Sequence, residues 1–273
     1  MTEKTVKEMS FLDHLEELRW VLVRCSAGIL VMGIVAYFFA DYIFDVLIFG
    51  PTKTDFITYR FFCDASNYLG FAENICVTEL PFKIINTQME GQVNIFVWIC
   101  IMAGFIMAFP YILWQFWKFI SPALYEKEKK NATLFITVAS ILFFLGVTFG
   151  YFVIVPMSVN FLATFHISSV VENNFTIDSY ISMVKTSVIA SGLFFELPII
   201  IYFLTKLGLV TPTFLRNNRK YTFVIVLIVA AIITPPDVVS QITVSIPMLI
   251  IYEASIFISA IVVKNKLKNE PAS

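Results

Sequence analysis

The stretch VLVRCSAGILVMGIVAYFFA, residues 21–40, decides the fold, because it is an apolar run whose only charge is Arg24. A transmembrane helix needs about 20 mainly apolar residues to cross a hydrocarbon core about 30 Å thick. The run is longer than the apolar core of a secretory signal peptide, and no small-residue cleavage site follows it convincingly. We therefore interpret it as a helix that is retained and that spans a membrane.

The composition extends this interpretation to the rest of the chain. Of the 273 residues, 58% are hydrophobic and 14% are charged, and the mean hydropathy is +0.81. Soluble domains are about half apolar and about a quarter charged. The sequence predicts an all-α integral membrane protein, a single polytopic domain over residues 1–273 with six transmembrane helices. They are expected at about 21–42, 92–118, 132–157, 180–205, 221–234 and 238–263.

The last two predicted helices form a hairpin. The fifth apolar run has 14 residues, about 21 Å of helix. It ends at TPPD, residues 234–237, where two prolines stop the helix. The sixth run is interrupted by Pro247 and Glu253. We expect both helices to be short, and we expect Glu253 to lie near the membrane surface and to pair with a lysine such as Lys264.

Lysine and arginine are distributed unevenly between the predicted loops. Fifteen of the 19 lie in or beside the segments 1–20, 121–131, 206–220 and 264–273. These residues accumulate in cytoplasmic loops, so both termini are predicted to be cytoplasmic. The segments 43–91 and 158–179 are then external. Lys185, near the external side, is expected to extend towards the interface.

The four cysteines separate by location. Cys25 and Cys100 fall in the first two predicted helices, whereas Cys63 and Cys76 fall in the first external loop. Two interpretations of the external pair stay open, two free thiols or a disulfide, and an oxidising compartment favours the disulfide. No cysteine or histidine cluster has the spacing of metal ligands, and we find no nucleotide-binding or nucleophile motif. No cofactor or metal is predicted.

Charged residues in or near the spans carry the most information, because burying one costs several kcal/mol. Glu196 lies about 16 residues into the fourth predicted helix, and Pro198 leaves the carbonyl of Phe194 without its helical donor. A carboxyl group beside a free carbonyl predicts a polar, hydrated concavity. Glu17 and Glu128 flank the spans, where each also has an ordinary interpretation as a solvated helix face or a surface ion pair.

Five short motifs follow one another in register with the hydropathy pattern. They are HLEELR at 14–19, SPALY at 121–125 with Glu128 following, FELP at 195–198, TPPD at 234–237, and IPM at 246–248 with Gln241 before it. Together they resemble TatC, the large receptor subunit of twin-arginine protein translocases, over about residues 10–262. The resemblance implies bent helices that form a cup, with a signal-peptide site on its cytoplasmic face.

The resemblance implies roles for three charged residues near the cytoplasmic side. Glu17 and Glu128 match the carboxylates that bind the two adjacent arginines of a signal peptide, and Arg19 belongs to the same patch. The chemistry agrees, because a carboxylate accepts two parallel hydrogen bonds from a planar guanidinium group, which lysine cannot offer.

Further implied roles lie in the second half of the chain. Glu196 matches the polar intramembrane position, Thr234 and Gln241 match a site where a small partner helix docks, and Asp237 belongs to the TPPD motif. The implied partners are twin-arginine signal peptides, single-span proteins of the TatA and TatB type, membrane lipids and further copies of the chain. The implied setting is the inner membrane of a bacterium, with transport driven by the proton gradient and no nucleic acid involved.

Two other function classes are weighed against a receptor that is not an enzyme. A secondary transporter could use Glu196 as a proton or cation site, but transporters usually contain repeated halves, and none is detected here. An intramembrane enzyme needs a paired nucleophile and base, or metal ligands, within its spans. The predicted spans offer neither.

Overall fold

The computed structural model describes residues 11–69, 76–77, 79–121, 132–168, 173–234 and 238–269. The longer helices are α1 (Phe11–Phe38), α3 (Ile57–Leu69), α4 (Gly91–Ile120), α5 (Ala132–Phe149), α6 (Val155–Thr164), α7 (Ile177–Phe194), α8 (Leu197–Lys206), α10 (Arg219–Ile233) and α11 (Val238–Asn269). The shorter elements are α2 (Ala40–Tyr42), α9 (Pro212–Asn217), strands β1 (Lys83–Ile85) and β2 (Asn174–Thr176), π-helical turns at Ile43–Ile48 and Gly150–Ile154, and a 3₁₀ turn at Gly50–Thr52. The chain divides into two compact units, Met1–Ala40 with Phe96–Ser140, and Asp41–Ile95 with Ile141–Ser273.

Within the described ranges, five helical stretches are long and apolar enough to cross a membrane. They are Leu15–Phe38, Gly91–Ile120, Ala132–Thr164, Ile177–Lys206 and Ser240–Lys266. These stretches correspond to the first four and the sixth of the helices predicted from sequence. Helix α10, at the fifth position, has 15 residues, or about 22 Å of helix, and is short as expected.

The expectation that the sixth helix is short is wrong, because α11 continues for 32 residues with Pro247 inside it. Proline removes only one helical donor. Here its neighbours Val244 and Met248 are fully buried in a cluster with Ile154, Val226 and Ala230. This packing stabilises the helix on both sides of the proline, so the interruption seen in the sequence does not end it.

The first unit is held together by close contact between α1 and α4. Val21 and Cys25 of α1 pack against Ala108 and Ile112 of α4. Further along, Gly104 lies so close to α1 that a Cβ atom there would be 2.6 Å from the Ile29 carbonyl oxygen and the Gly33 nitrogen. The two helices are therefore antiparallel, with Gly33 near Gly104 and Val21 near Ile112.

In the second unit, α3 packs on the proline-interrupted helix that ends in α6. Pro156 has no N–H, so it cannot donate to the carbonyl of Phe152 four residues earlier. Thr58 of α3 supplies the donor instead, through its hydroxyl at 2.6 Å. The hydroxyl of the next residue, Tyr59, lies 3.0 Å from the Pro51 carbonyl and 3.1 Å from the Pro156 carbonyl. Burial raises the pKa of Tyr59, which keeps this donor protonated.

Pro51 creates the same problem at the π-helical turn Ile43–Ile48, since it cannot donate to the carbonyl of Leu47. Tyr151 donates its hydroxyl to that carbonyl at 2.8 Å. Tyr180 of α7 donates to the carbonyl of the neighbouring Ile48 at 2.6 Å. The residues after α1 are therefore fixed by tyrosines from two later helices.

Strands β1 and β2 form a small parallel sheet in which Ile84 is opposite Phe175. The strands belong to segments 43–91 and 158–179, which the sequence analysis predicts to be two separate loops on one side of the membrane. Their pairing brings these two segments together, and two segments that pair must lie on the same side of the membrane.

We expect substitution at the α1–α4 contact to separate backbone crowding from helix propensity. Gly104→Ala and Gly28→Ala gain the same helix propensity. A Cβ at Gly104 meets backbone atoms of α1, whereas a Cβ at Gly28 meets the ring of Tyr111 at 2.8 Å, and that ring can rotate away. Gly104→Ala should therefore lower the free energy of unfolding by about 1–3 kcal/mol relative to Gly28→Ala. Thermal unfolding of both variants in one detergent measures this, and equal midpoints would contradict the close contact.

Candidate functional site

Glu17 lies on the side of α1 that faces α4. It is four residues before Val21 and eight before Cys25, and residues at this spacing share one face of a helix. Val21 and Cys25 are buried against α4, whereas Glu17 is only half-buried. Among the described residues, its carboxylate has no cationic partner. Glu17 is thus an acidic group at the open end of the α1–α4 contact.

A second polar group at this end was missed by the sequence analysis. Gln115 of α4 is 3% exposed, and its Oε1 atom is buried with no hydrogen-bond partner among the described residues. It continues the stripe of Ala108 and Ile112 that packs on α1. Extending the antiparallel register of the two helices by one turn beyond Val21 brings Glu17 level with Gln115. The available signal was that Gln115 is the only amide side chain between Asn94 and Lys118 in a mainly apolar run.

Arg19 is not brought together with Glu17. The two residues are two positions apart in one helix, so their side chains leave α1 on nearly opposite sides. Arg19 is exposed, consistent with that position. Glu128 and Asp237 lie outside the described residues, so their predicted roles remain predictions.

Glu196 lies at a break between α7 and α8. Helix α7 ends at Phe194, α8 begins at Leu197, and Pro198 occupies the first turn of α8. The backbone carbonyl of Glu196 accepts from Ile199 and Ile200 at 3.0 Å. Its side chain is 7% exposed, and Oε1 has no partner among the described residues. The break predicted from Pro198 is present, and it holds a buried carboxyl group with open hydrogen-bonding capacity.

Close contact between α5 and α7 fixes the approach to this break. A Cβ at Gly146 would lie 2.7 Å from the Ser191 carbonyl oxygen and 2.8 Å from the Cβ of Phe195. Ser191 also donates its hydroxyl to the Gly146 carbonyl at 2.8 Å. Because Phe195 immediately precedes Glu196, this contact determines where the Glu196 backbone lies.

Thr234 and Gln241 bond to adjacent turns of α10. Thr234 ends that helix and donates to the Ala230 carbonyl at 2.8 Å. Gln241 of α11 donates through Nε2 to the Leu227 carbonyl at 3.0 Å. These carbonyls are three residues apart, about 4.5 Å along the helix. The Gln241 bond therefore links α11 to α10, whereas the Thr234 bond lies within the end of α10. The predicted role of the two residues in docking a partner helix stays a prediction.

Cys63 of α3 and Cys76 are joined by a disulfide, with their Cα atoms 4.6 Å apart. The bond ties Val77 to the same region as α3. Val77 then forms part of a cavity of about 270 Å³ with Thr58, Phe62 and Asn160 among the other lining residues. Cys25 and Cys100 are free and buried, and no group of three or more metal-ligating side chains occurs within the described residues.

Comparison with known proteins gives one consistent family. The family model for the Sec-independent protein translocase protein TatC matches residues 13–247. The TatC protein of Blattabacterium sp. subsp. Periplaneta americana is 43% identical over 95% of this chain and 98% of its own length. The Aquifex aeolicus TatC protein is 33% identical over 97% and 100%. A crystal structure described as the twin-arginine translocase receptor TatC has a TM-score of 0.71 and 33% identity, and the match covers 92% of this chain and 99% of that one.

We expect the Cys63–Cys76 disulfide to stabilise the external segment. It closes a loop with a sequence separation of 13, which is worth about 3 kcal/mol in the chain-entropy model. Reductant should lower the unfolding midpoint of the wild-type protein and leave Cys63→Ser/Cys76→Ser unaffected. Cys25→Ala/Cys100→Ala, the control, should keep the response to reductant. Alkylation of residues 63 and 76 without prior reduction would contradict the bond.

Proposed function

We propose a function for this chain, which belongs to the TatC family of Sec-independent protein translocase proteins. We infer that it is the signal-peptide receptor of a twin-arginine translocase. It binds the arginine pair of a precursor at the end of the α1–α4 contact. Small single-span proteins of the TatA and TatB type assemble on it, and the proton gradient drives export. The observation that carries the proposal is the half-buried Glu17 carboxylate, level with the buried Oε1 atom of Gln115, which has no hydrogen-bond partner among the described residues.

The proposed arrangement has six spans, with α10 as the fifth, and both termini in the cytoplasm of a bacterium. The excess of lysine and arginine in segments 1–20, 121–131, 206–220 and 264–273 supports this orientation. The β1–β2 pairing also supports it, because two segments that pair must lie on the same side of the membrane. In this orientation Glu17 and the segment containing Glu128 face the cytoplasm.

The chemistry of arginine recognition fits the proposed site. A guanidinium group presents five donors and no acceptor, so its site must provide acceptors. The Oε1 atom of Gln115 is an acceptor without a partner in the described structure, and the Glu17 carboxylate is a half-buried acceptor beside it. Glu128 lies eight residues after the end of α4, close enough along the chain to add a second carboxylate. Because the Arg19 side chain leaves α1 on the side opposite Glu17, we propose that Arg19 does not contact the bound arginine pair. It would instead influence how the peptide approaches the site.

Glu196, Thr234 and Gln241 are proposed to receive a partner helix. A buried carboxyl oxygen without a partner is costly in a membrane, and a polar group on an incoming helix would satisfy it. The Thr234 hydroxyl donates within its own helix but can still accept a hydrogen bond. Association of single-span helices depends on such polar contacts, because lipid tails are as apolar as the helices themselves.

We expect Glu17→Gln/Glu128→Gln to weaken binding of a twin-arginine peptide by about 100-fold or more, since each charge-assisted hydrogen bond contributes about 1.5–3 kcal/mol. Affinity for a twin-lysine peptide should change far less, so the preference for arginine is lost. Fluorescence titration of labelled peptides against the reconstituted protein measures both values. Glu16→Gln is the matched control, because Glu16 is an exposed neighbour. Retained preference for arginine in the double variant would refute the site.

We expect Thr234→Val to weaken association with a single-span partner about three- to tenfold, the value of one neutral hydrogen bond. Thr222→Val is the control, because Thr222 makes the same type of bond to the carbonyl four residues earlier, at the opposite end of α10. Both variants lose that bond, but only Thr234 lies at the proposed docking end. Energy transfer between labelled proteins in vesicles measures the affinity, and equal losses would assign Thr234 a structural role alone.

A further inference from the structure

Helix α10 covers only part of the length of α11. The two helices are antiparallel, since Gln241 bonds to the carbonyl of Leu227 and Arg219 bonds to Glu253 at 2.6 Å. The predicted partner Lys264 is about 16 Å from Glu253 along α11, so the Glu253–Lys264 pair expected from sequence is wrong. Helix α10 begins level with Glu253, whereas α11 continues to Asn269, about 24 Å further.

The connection from α8 to α10 is recessed between the ends of the flanking helices. The last turn of α8 is level with Ser259, because the hydroxyls of Thr205 and Ser259 are 2.8 Å apart. Helix α9 lies deeper, since Tyr252 donates to the Leu215 carbonyl at 2.9 Å. Seven residues of α11 separate these two levels, about 10 Å. We call residues 207–220 the α9 recess.

Apolar and cationic side chains are both exposed in the α9 recess. Leu209 is 71% exposed and Phe214 is 58% exposed, while Leu215 on the inner side is buried with Ile201 and Ile256. Exposed large apolar residues are unfavourable in water but suit lipid chains.

The cations of the recess are only partly compensated. Arg219 is paired with Glu253. Arg216 and Lys220 are exposed, and neither has a carboxylate partner in the part of the chain that the structure describes. Lys220 lies 5.0 Å from the ring of Tyr221, a pairing that is typical of the membrane interface. The recess therefore contains two exposed cations without carboxylate partners, Arg216 and Lys220. They lie about 10 Å deeper along α11 than the end of α8.

We propose that the α9 recess binds the headgroup of an anionic phospholipid. Arg216 and Lys220 contact the phosphate, because guanidinium and ammonium groups are the usual phosphate donors in proteins. The acyl chains extend deeper along α10, where Phe223 and Val224 are exposed one turn after Lys220. The net positive charge left after the Arg219–Glu253 pair selects an anionic lipid over a zwitterionic one.

The depth of the recess explains why a lipid binds there and not simply anywhere on the basic side. Headgroups must descend past the end of α8 to reach Arg216, which thins the bilayer locally. Such thinning costs only fractions of a kcal/mol per Å, and the contact with two cations offsets it. Helix α10 is too short to reach the ordinary interface, and the bound lipid would lie at the end of α10 that begins at Arg219.

The test uses the full chain in nanodiscs of mixed phosphatidylglycerol and phosphatidylcholine, with native mass spectrometry of the lipids retained after release. We expect Arg216→Gln and Lys220→Gln each to reduce retained phosphatidylglycerol about fivefold, and the double variant about 25-fold. Retained phosphatidylcholine should stay unchanged. Thermal unfolding in pure phosphatidylcholine verifies that each variant is folded, and the single variants keep the test decisive if the double variant is not.

The control is Lys264→Gln/Lys266→Gln, which removes two exposed cations from the end of α11, beyond the recess. It should change phosphatidylglycerol retention less than about twofold. An equal loss in the control would mean that the preference comes from diffuse charge on this side, and the proposal would be overturned. Unchanged retention in the Arg216 and Lys220 variants would overturn it as well.

Discussion

A proline leaves the backbone carbonyl four residues earlier without its helical donor, and away from water that carbonyl needs a donor from elsewhere. Pro156 leaves Phe152 open, and Thr58 provides the donor. Pro51 leaves Leu47 open, and Tyr151 provides the donor. Thr58, the donor to Phe152, belongs to the segment between α1 and α4. Leu47, whose carbonyl accepts from Tyr151, belongs to the same segment. The segment between α1 and α4 therefore stabilises the helix that contains Tyr151 and Phe152. Within the segment, the Cys63–Cys76 disulfide holds residue 76 beside α3.

The same constraint distinguishes structural polar residues from candidate binding residues. Ser140, Ser245 and Ser255 each donate to the carbonyl four residues earlier, so their hydroxyl hydrogens are used inside their own helices. The Oε1 atoms of Gln115 and Glu196 are buried without such a partner in the described structure. An open buried acceptor destabilises the isolated protein and is relieved when another molecule brings a donor. This difference supports the proposed roles of Gln115 and Glu196 over any such role for these three serines.

The hydropathy pattern was sufficient to predict the helical stretches, because membrane insertion depends on local apolar length. It was insufficient where a long-range contact decides. The helix through Pro247 continues because Val244 and Met248 are buried by other helices, and Glu253 selects Arg219 because α10 packs beside α11. For the candidate site, the motifs predict a role for Glu17, but only the α1–α4 packing relates that residue to Gln115, and its helical position separates it from Arg19. The cysteine spacing left two alternatives that the three-dimensional structure alone distinguishes.

In the proposed receptor, net charge and selectivity are separate properties. Most of the cations lie on the proposed cytoplasmic side, but segment 1–20, which contains Glu17, has five carboxylates against three cations. Net attraction to that segment would not distinguish arginine from lysine, so the proposed preference for arginine depends on carboxylate geometry that lysine does not match. An anionic lipid in the α9 recess would neutralise Arg216 and Lys220. The two proposed sites therefore use opposite chemistry, since carboxylates bind arginine at one and cations bind phosphate at the other.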